Sequence, residues 1–406
     1  MKRLLVFMSL LALLLAGCGK QTEEEILRER RDRAEAHMRY MMSALWQVDE
    51  TVRYSTYVNS IGVDQDEEDR ILVLEAGRVY SGMPYTHGSG GAESFFSYGQ
   101  PDEKGVLQMT GLTTPLLSGG GGDKLDNRAR LSNDCADAVS WAWSRIGNSF
   151  SFTVTQNMTA QRGCLPVGSY KTVEDNYKKT KDIVKENGEA VMYEAYACLQ
   201  KADAVVCYNG SGHAMMISQV HVVRNGDAID PEKSYVLVHE QFTGNTREEE
   251  LTRVDEATGL TVYCLGGVDR EYSFAKLFKK SYLPVTIKEL IDPSPVEKPE
   301  LVDSVKEPSA ENLFEGSIAC LYKICMVTVT VTDGEGNVVQ QSTCYPCEKE
   351  RHMFRMSRFE NPEEAEVRKG TIDLSALAPG NYRCRVECLL GTGETQLTRD
   401  FSMEVK

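Results

Sequence analysis

The hydrophobic rhythm of the chain changes once, and the change sits at Pro293-Ser-Pro-Val-Glu-Lys-Pro299. Upstream, apolar residues recur both every three to four positions and every two, as expected where helices and strands are mixed. Downstream, in the region 313–406, the two-residue alternation dominates. Met326-Val-Thr-Val-Thr-Val-Thr332 before Asp333-Gly-Glu-Gly-Asn337 reads as a strand running into a turn. The rhythm returns in Leu374-Ser-Ala-Leu-Ala-Pro-Gly-Asn-Tyr382 and Arg383-Cys-Arg-Val-Glu-Cys388. Short strands between turn signals predict a small β-sandwich. Residues 293–312, rich in proline and charge and poor in large apolar side chains, read as a linker. At roughly 100–200 residues per domain, 406 residues hold two or three domains. The expected class is α+β followed by all-β.

Lys2 and Arg3 precede an apolar segment from Leu4 to Ala16, broken by Ser9. That is the pattern of a secretory signal peptide over residues 1–18. Its end, Leu15-Ala-Gly-Cys18, resembles a bacterial lipobox. The resemblance implies lipidation of Cys18 and a body tethered outside the cytoplasm, since acyl chains contribute about 0.8 kcal/mol per buried methylene. No apolar run reaches the roughly 20 residues that span a bilayer. A net charge of −15 disfavours a nucleic-acid partner, whose phosphates would be repelled. Residues 19–70 are charged and helix-prone. Met38, Met41, Met42, Leu45, Val48 and Val52 fall at helical spacing up to about Tyr57, a stripe that either packs on the next domain or forms a stalk.

The candidate chemistry lies in residues 71–292. In Leu131-Ser-Asn-Asp-Cys-Ala-Asp-Ala-Val-Ser-Trp-Ala-Trp-Ser-Arg-Ile-Gly147, Val139, Ala142, Trp143 and Ile146 share a helical face. Ser132 or Asn133 suits the N-cap and Gly147 the C-cap. Cys135 then occupies the first turn, where unpaired N–H groups and the positive dipole end favour thiolate over thiol. Downstream, Ala202-Asp-Ala-Val-Val-Cys-Tyr208 reads as a strand. After Asn209-Gly-Ser-Gly212, His213 opens another. A third, Tyr235-Val-Leu-Val238, runs into His239-Glu240-Gln241. Cys135, His213 and a polar residue at the end of that third strand would supply nucleophile, base and orienter.

These segments resemble the NlpC family of cell-wall cysteine peptidases. The likeness rests on Asp134-Cys135-Ala, Lys201-Ala-Asp-Ala-Val-Val206 and Gly212-His213, with Gly82-Met-Pro-Tyr85-Thr-His-Gly-Ser-Gly-Gly91 upstream. It implies a papain-like core, a nucleophile helix on an antiparallel sheet, acting on amide bonds of peptidoglycan stem peptides. Carried over, Cys135 is the nucleophile, His213 the general base and acid, and Tyr85 and Asp134 line the substrate site. A histidine in the family's third position points to His239. The related CHAP amidases place a glutamate there, which points to Glu240. Strand alternation groups Glu240 with Val236 and Val238, and favours it.

The stretch between Cys135 and His213 is long for the family, so an insertion over residues 148–194 is expected, with a helix from about Thr172 to Ala197. The implied reaction needs no metal or cofactor. The C-terminal region resembles bacterial immunoglobulin-like modules, as a spacer or binding arm. Its Cys320, Cys325, Cys344, Cys347, Cys384 and Cys388 could pair or remain thiols. Cys344-Tyr-Pro-Cys347 lacks a matching second pair for zinc. Cys164, Cys198, Cys207 and Cys264 are expected to pack as small apolar residues. Two other functional classes remain: an inactive surface binding lipoprotein and an acyltransferase on the same type of core.

Overall fold

The structure is a computed structural model and describes residues 21–55, 71–86, 90–118, 131–149, 163–172, 179–242, 251–308, 314–346, 351–360 and 367–405. The expected signal peptide with Cys18, and Cys347, lie outside the described residues. Among the described residues no helix is long and apolar enough to cross a membrane.

Helix α1 (Glu23–Ser43) starts at a capping box in which the Thr22 hydroxyl accepts the Glu25 N–H and the Glu25 carboxylate accepts the Thr22 N–H. Three glutamates in its first turn complement the dipole. Met38, Met41 and Met42 are fully buried in the main core, so the stripe packs on the body of the protein. The helix ends at Ser43, short of the expected Tyr57. Leu45–Val48 (β1) and Val52–Ser55 (β2) are strands. Trp46, Val48, Val52 and Tyr54 are the buried residues there, a two-residue repeat of aromatic and β-branched side chains suited to extended backbone. Both edges of β1 are paired, with Tyr80–Ser81 and with Leu107–Met109. Tertiary pairing overrides the helical spacing of Leu45, Val48 and Val52. The sheet is completed by Gln100–Pro101, Thr252–Val254 and Thr261–Cys264.

Helices α2 (Ala92–Tyr98), α3 (Cys135–Ser144) and α4 (Thr180–Ala197) follow, the last kinked at Gly188. The expected insertion helix therefore exists from Thr180 onward; residues 173–178 lie outside the described residues. A second sheet comprises β3 (Ala204–Tyr208), β4 (Gly212–His221), β5 (Tyr235–Gln241), β6 (Gly266–Ser273) and β7 (Leu283–Thr286). Their spatial order is β6-β5-β4-β3-β7, with Leu165–Pro166 outermost beside β7, and every neighbouring pair is antiparallel. Helix α3 is buried along its whole length and packs on β4 and β5, while α1 runs against α3 and β6. One hydrophobic core joins these pieces.

The proline-rich stretch is tied down at its start and middle. Arg30 on α1 donates to the carbonyls of Asp292 and Ser294 at 2.7 and 2.6 Å, and a Cβ on Gly147 would come within 2.1 Å of Val296. Leu301–Asp303 (β8), expected within the linker, is a strand paired with Ser317–Cys320 (β9). Beyond it come β10 (Ile324–Thr332), β11 (Val338–Cys344), β12 (Met353–Arg355), β13 (Gly380–Leu390) and β14 (Thr395–Val405). They form a three-stranded sheet, β8-β9-β12, and a five-stranded one in which Arg368–Lys369, β11, β10, β13 and β14 follow in order. Val327, Val329 and Val331 on β10 and Cys384, Val386 and Cys388 on β13 point into a second core shared with Ile318 and Phe354 of the smaller sheet. The chain is thus mixed α+β, with several sheets and few helices. All ten described cysteines are free thiols; Cys164 is buried, whereas Cys198 is exposed.

Candidate active site

The N-cap of α3 is Asp134, whose carboxylate accepts the Asp137 N–H at 2.8 Å. Ser132 and Asn133, the expected caps, are used elsewhere. The Ser132 hydroxyl donates to the Leu117 carbonyl at 2.5 Å and lies 2.6 Å from the Thr86 hydroxyl. Asn133 forms a parallel bridge with Tyr85. That bridge brings Tyr85 beside Asp134 and Cys135, whose potential negative charges, after burial, hold its phenol protonated. Tyr85, Asp134 and Cys135 thus surround one helix start.

Cys135 is 5% exposed. Burial pushes its thiol well above the ordinary range and the Asp134 charge adds to this, against N–H donors from Ala214 and Ala136. Burial thus favours the neutral thiol, against the thiolate that the helix start alone favours. The helix-start N–H groups are present, but desolvation outweighs them. Because the Ala214 N–H reaches the sulfur, the nucleophile candidate sits against β4 one residue beyond His213.

His213 Nε2 lies 2.7 Å from Glu240 Oε2. The His213 side chain is 25% exposed and that of Glu240 only 4%, so the pair reaches from the buried sheet to solvent. Tyr272 on β6 donates to Glu240 Oε1 at 3.1 Å, and Arg270 Nε lies 3.1 Å from the same oxygen. Burial alone would raise the Glu240 carboxyl; the His213 hydrogen bond and charge, then Arg270 and Tyr272, outweigh it and hold the group below its usual range. Burial and the Glu240 charge push the Tyr272 phenol up to about 12, which keeps it a donor. With Nε2 committed to a carboxylate, the neutral ring carries its proton there and Nδ1 is the basic nitrogen.

His239 goes elsewhere. It is fully buried, with Nε2 2.7 Å from Glu35 Oε1 on α1, and its Nδ1 accepts the Asp269 N–H at 3.3 Å. Of the two alternatives for the third position, Glu240 meets His213 and His239 ties α1 to the sheet. Strand alternation survives because the irregularities fall on the neighbours. Leu237 and Val238 pair with Gln219 and Ile217, so Ser218 is the additional residue on β4. Val238 and Glu240 pair with Arg270 and Gly267, so the excess on β6 lies around Asp269, whose φ is 50°.

Two further contributors come from across the proline-rich stretch. Arg351 and Asp137, each 1% exposed by side chain, form a two-toothed ion pair at 3.1 and 3.2 Å. Lys323, fully buried, donates to the Ser140 hydroxyl. Nothing in the spacing of Lys323 or Arg351 signals this, since both lie in the region that reads as an independent module. Arg270 and Tyr272 were equally hidden, because strand register between β5 and β6 is not written locally. Among the described residues no group of three or more His, Cys, Asp or Glu side chains is placed to hold a metal.

No protein-family model matches the chain, and no curated protein matches it. Among solved structures, the tetra-tandem repeat in the extending region of a large adhesion protein aligns with 13% identity and a TM-score of 0.19. The alignment covers 50% of this chain and 41% of that one, less than half the length of the neighbour.

Proposed function

We propose that the chain is a lipid-anchored, surface-exposed cysteine hydrolase of the NlpC type that cleaves amide bonds in peptidoglycan stem peptides. The observation that carries the reading is the 2.7 Å His213–Glu240 pair on the strands next to the helix that starts at Cys135. A helix-borne thiol, a histidine on the adjoining antiparallel strand and a carboxylate one strand further on are the parts of a papain-like core. The C-terminal region, read as immunoglobulin-like, is supported by its two sheets around one core and by the Tyr382 hydroxyl, which donates to the Ala378 carbonyl at 2.9 Å in the manner of a tyrosine corner.

In this reaction the Cys135 proton moves to His213 Nδ1 as sulfur attacks the amide carbonyl. The Cys135 backbone N–H at the helix start faces the developing oxyanion. The proton on Nδ1 passes to the departing amine as the C–N bond breaks, leaving a thioester. Water, deprotonated by Nδ1, then adds to the thioester; the released acid and the regenerated thiol complete the cycle. Glu240 stays ionised throughout and stabilises the imidazolium. A neutral resting thiol suits this sequence, because proton transfer and attack occur together.

The test is mass spectrometry of purified wall fragments after incubation with the wild type, Cys135→Ala and Cys135→Ser. New amine and acid termini from the wild type alone support the reading; identical fragments from all three overturn it. The near-complete burial of Cys135 favours a second reading, a surface protein that keeps the cleft for binding. A Cys135 no more reactive toward iodoacetamide than a buried thiol, together with no turnover, would select it.

A further inference from the structure

The C-terminal region does not stand off from the rest as a spacer. Its residues close over α3. The Ser94 hydroxyl on α2 donates to the Cys325 carbonyl at 2.7 Å, and Lys369 Nζ donates to the Tyr98 carbonyl at 2.6 Å. At the β13–β14 turn, Gly391 donates its N–H to the Lys323 carbonyl at 2.8 Å. A Cβ on Gly391 would lie 3.0 Å from the Trp141 ring and 3.1 Å from Ser144 Cβ, so the turn approaches α3 as closely as backbone can. Arg351 and Lys323 both lie over the Trp141 ring, at 5.4 and 4.8 Å.

We propose that Arg351 is a positioning residue for the Cys135 nucleophile, and that the C-terminal β region is therefore part of the catalytic unit. The inference rests on the hydrolase reading above. Asp137 sits two residues after Cys135 in the same first helical turn, and Asp134 caps that turn. The Asp134 charge opposes thiolate formation directly, and Asp137 and Arg351 act in opposite senses on the Asp134 carboxyl. Arg351 is the cation placed on Asp137, and a guanidinium keeps its charge across the working pH range. Its two-toothed grip also fixes the rotation of the first turn, and with it the direction of the Cys135 side chain. The other groups acting on the sulfur are Tyr85, Cys207 and the Ala214 N–H of β4; Lys323 lies one turn further along α3 at Ser140 and also interacts with the Asp137 charge.

The test is the rate of Cys135 alkylation by iodoacetamide between pH 6 and 10, resolved by peptide mass spectrometry on the full chain. It needs no substrate. Charge control predicts opposite signs for the two single variants. Arg351→Gln leaves Asp137 with only the Lys323 ammonium as a nearby cation, so the rate at pH 8 should fall several-fold and the profile move upward. Asp137→Asn removes an opposing charge, so the rate should rise. The double variant Asp137→Asn/Arg351→Gln should return to within about threefold of wild type, and Arg351→Lys should restore part of what Arg351→Gln loses.

A merely structural pair would slow both single variants and leave the double no better than the worse of them. That pattern, or unchanged profiles, overturns the proposal. Should Arg351→Gln fail to fold, the rise in Asp137→Asn and the recovery in the isoelectric double variant decide the matter alone. Loss of wall turnover with this pattern of alkylation intact would count against the substrate and not against Arg351.

Discussion

His239 and Glu240 are consecutive on one strand and serve different partners: His239 Nε2 lies 2.7 Å from Glu35, and Glu240 Oε2 lies 2.7 Å from His213. The alternation of a strand separates two His–carboxylate pairs that are chemically alike. One reaches solvent and the other is sealed. Their consequences on substitution should differ accordingly.

Glu240→Gln keeps the shape but removes the charge that holds the His213 proton on Nε2. Turnover of wall fragments should fall by about 10²-fold or more, with KM little changed, because the loss is of imidazolium stabilisation. Single-turnover kinetics check it; equal loss in kcat and KM would contradict the assignment.

Tyr272→Phe removes one of the groups holding the Glu240 carboxyl below its usual range. The acid limb of activity should therefore move to higher pH. The sign follows from Glu240 acting as carboxylate: activity is lost as pH falls through its folded-state titration, and losing a donor that favours the charged form moves that titration up. A pH–rate profile of the variant against wild type measures the displacement.

His239→Leu should cost stability with activity per folded molecule retained. Removing the imidazole leaves the buried Glu35 with Arg39 as its remaining partner. The penalty of an under-satisfied buried group is about 1–3 kcal/mol, readable as a lower midpoint in urea.

Lys323→Met should raise the melting temperature at pH 7, with the gain shrinking as pH rises. Burial, then the Arg351 charge, lowers the Lys323 ammonium to about 7 from an ordinary 10.5. Between those values the unfolded chain binds more protons, so stability rises with pH through that window, and the cost of the buried charge is fully present below it. Parallel melting curves for wild type and variant from pH 6 to 10 test the convergence.

What could be read from the sequence followed local chemistry. Cys135 at a helix start, His213 after a glycine turn and Glu240 by alternation were legible because each depends on a few neighbouring residues. The end of α1 was not, because Leu45, Val48 and Val52 satisfy two periodicities and only pairing of β1 with distant strands chooses between them. Pro299 and its neighbours read as a linker, yet Leu301–Asp303 finds a partner strand. The surroundings of Glu240 depend on register across β6, and those of Asp137 on a docking surface, neither of which local sequence encodes. The charge state that the Cys135 surroundings favour is not legible locally for a related reason: desolvation belongs to the assembled fold.

The Asp137–Arg351 ion pair joins residues 214 positions apart along the chain. During synthesis, the helix bearing Cys135 leaves the ribosome long before Arg351 has been made. Until then Asp137 lacks its guanidinium partner. On the proposal made for Arg351, a polypeptide that stops short of it carries the thiol helix with the first-turn carboxylate unpaired.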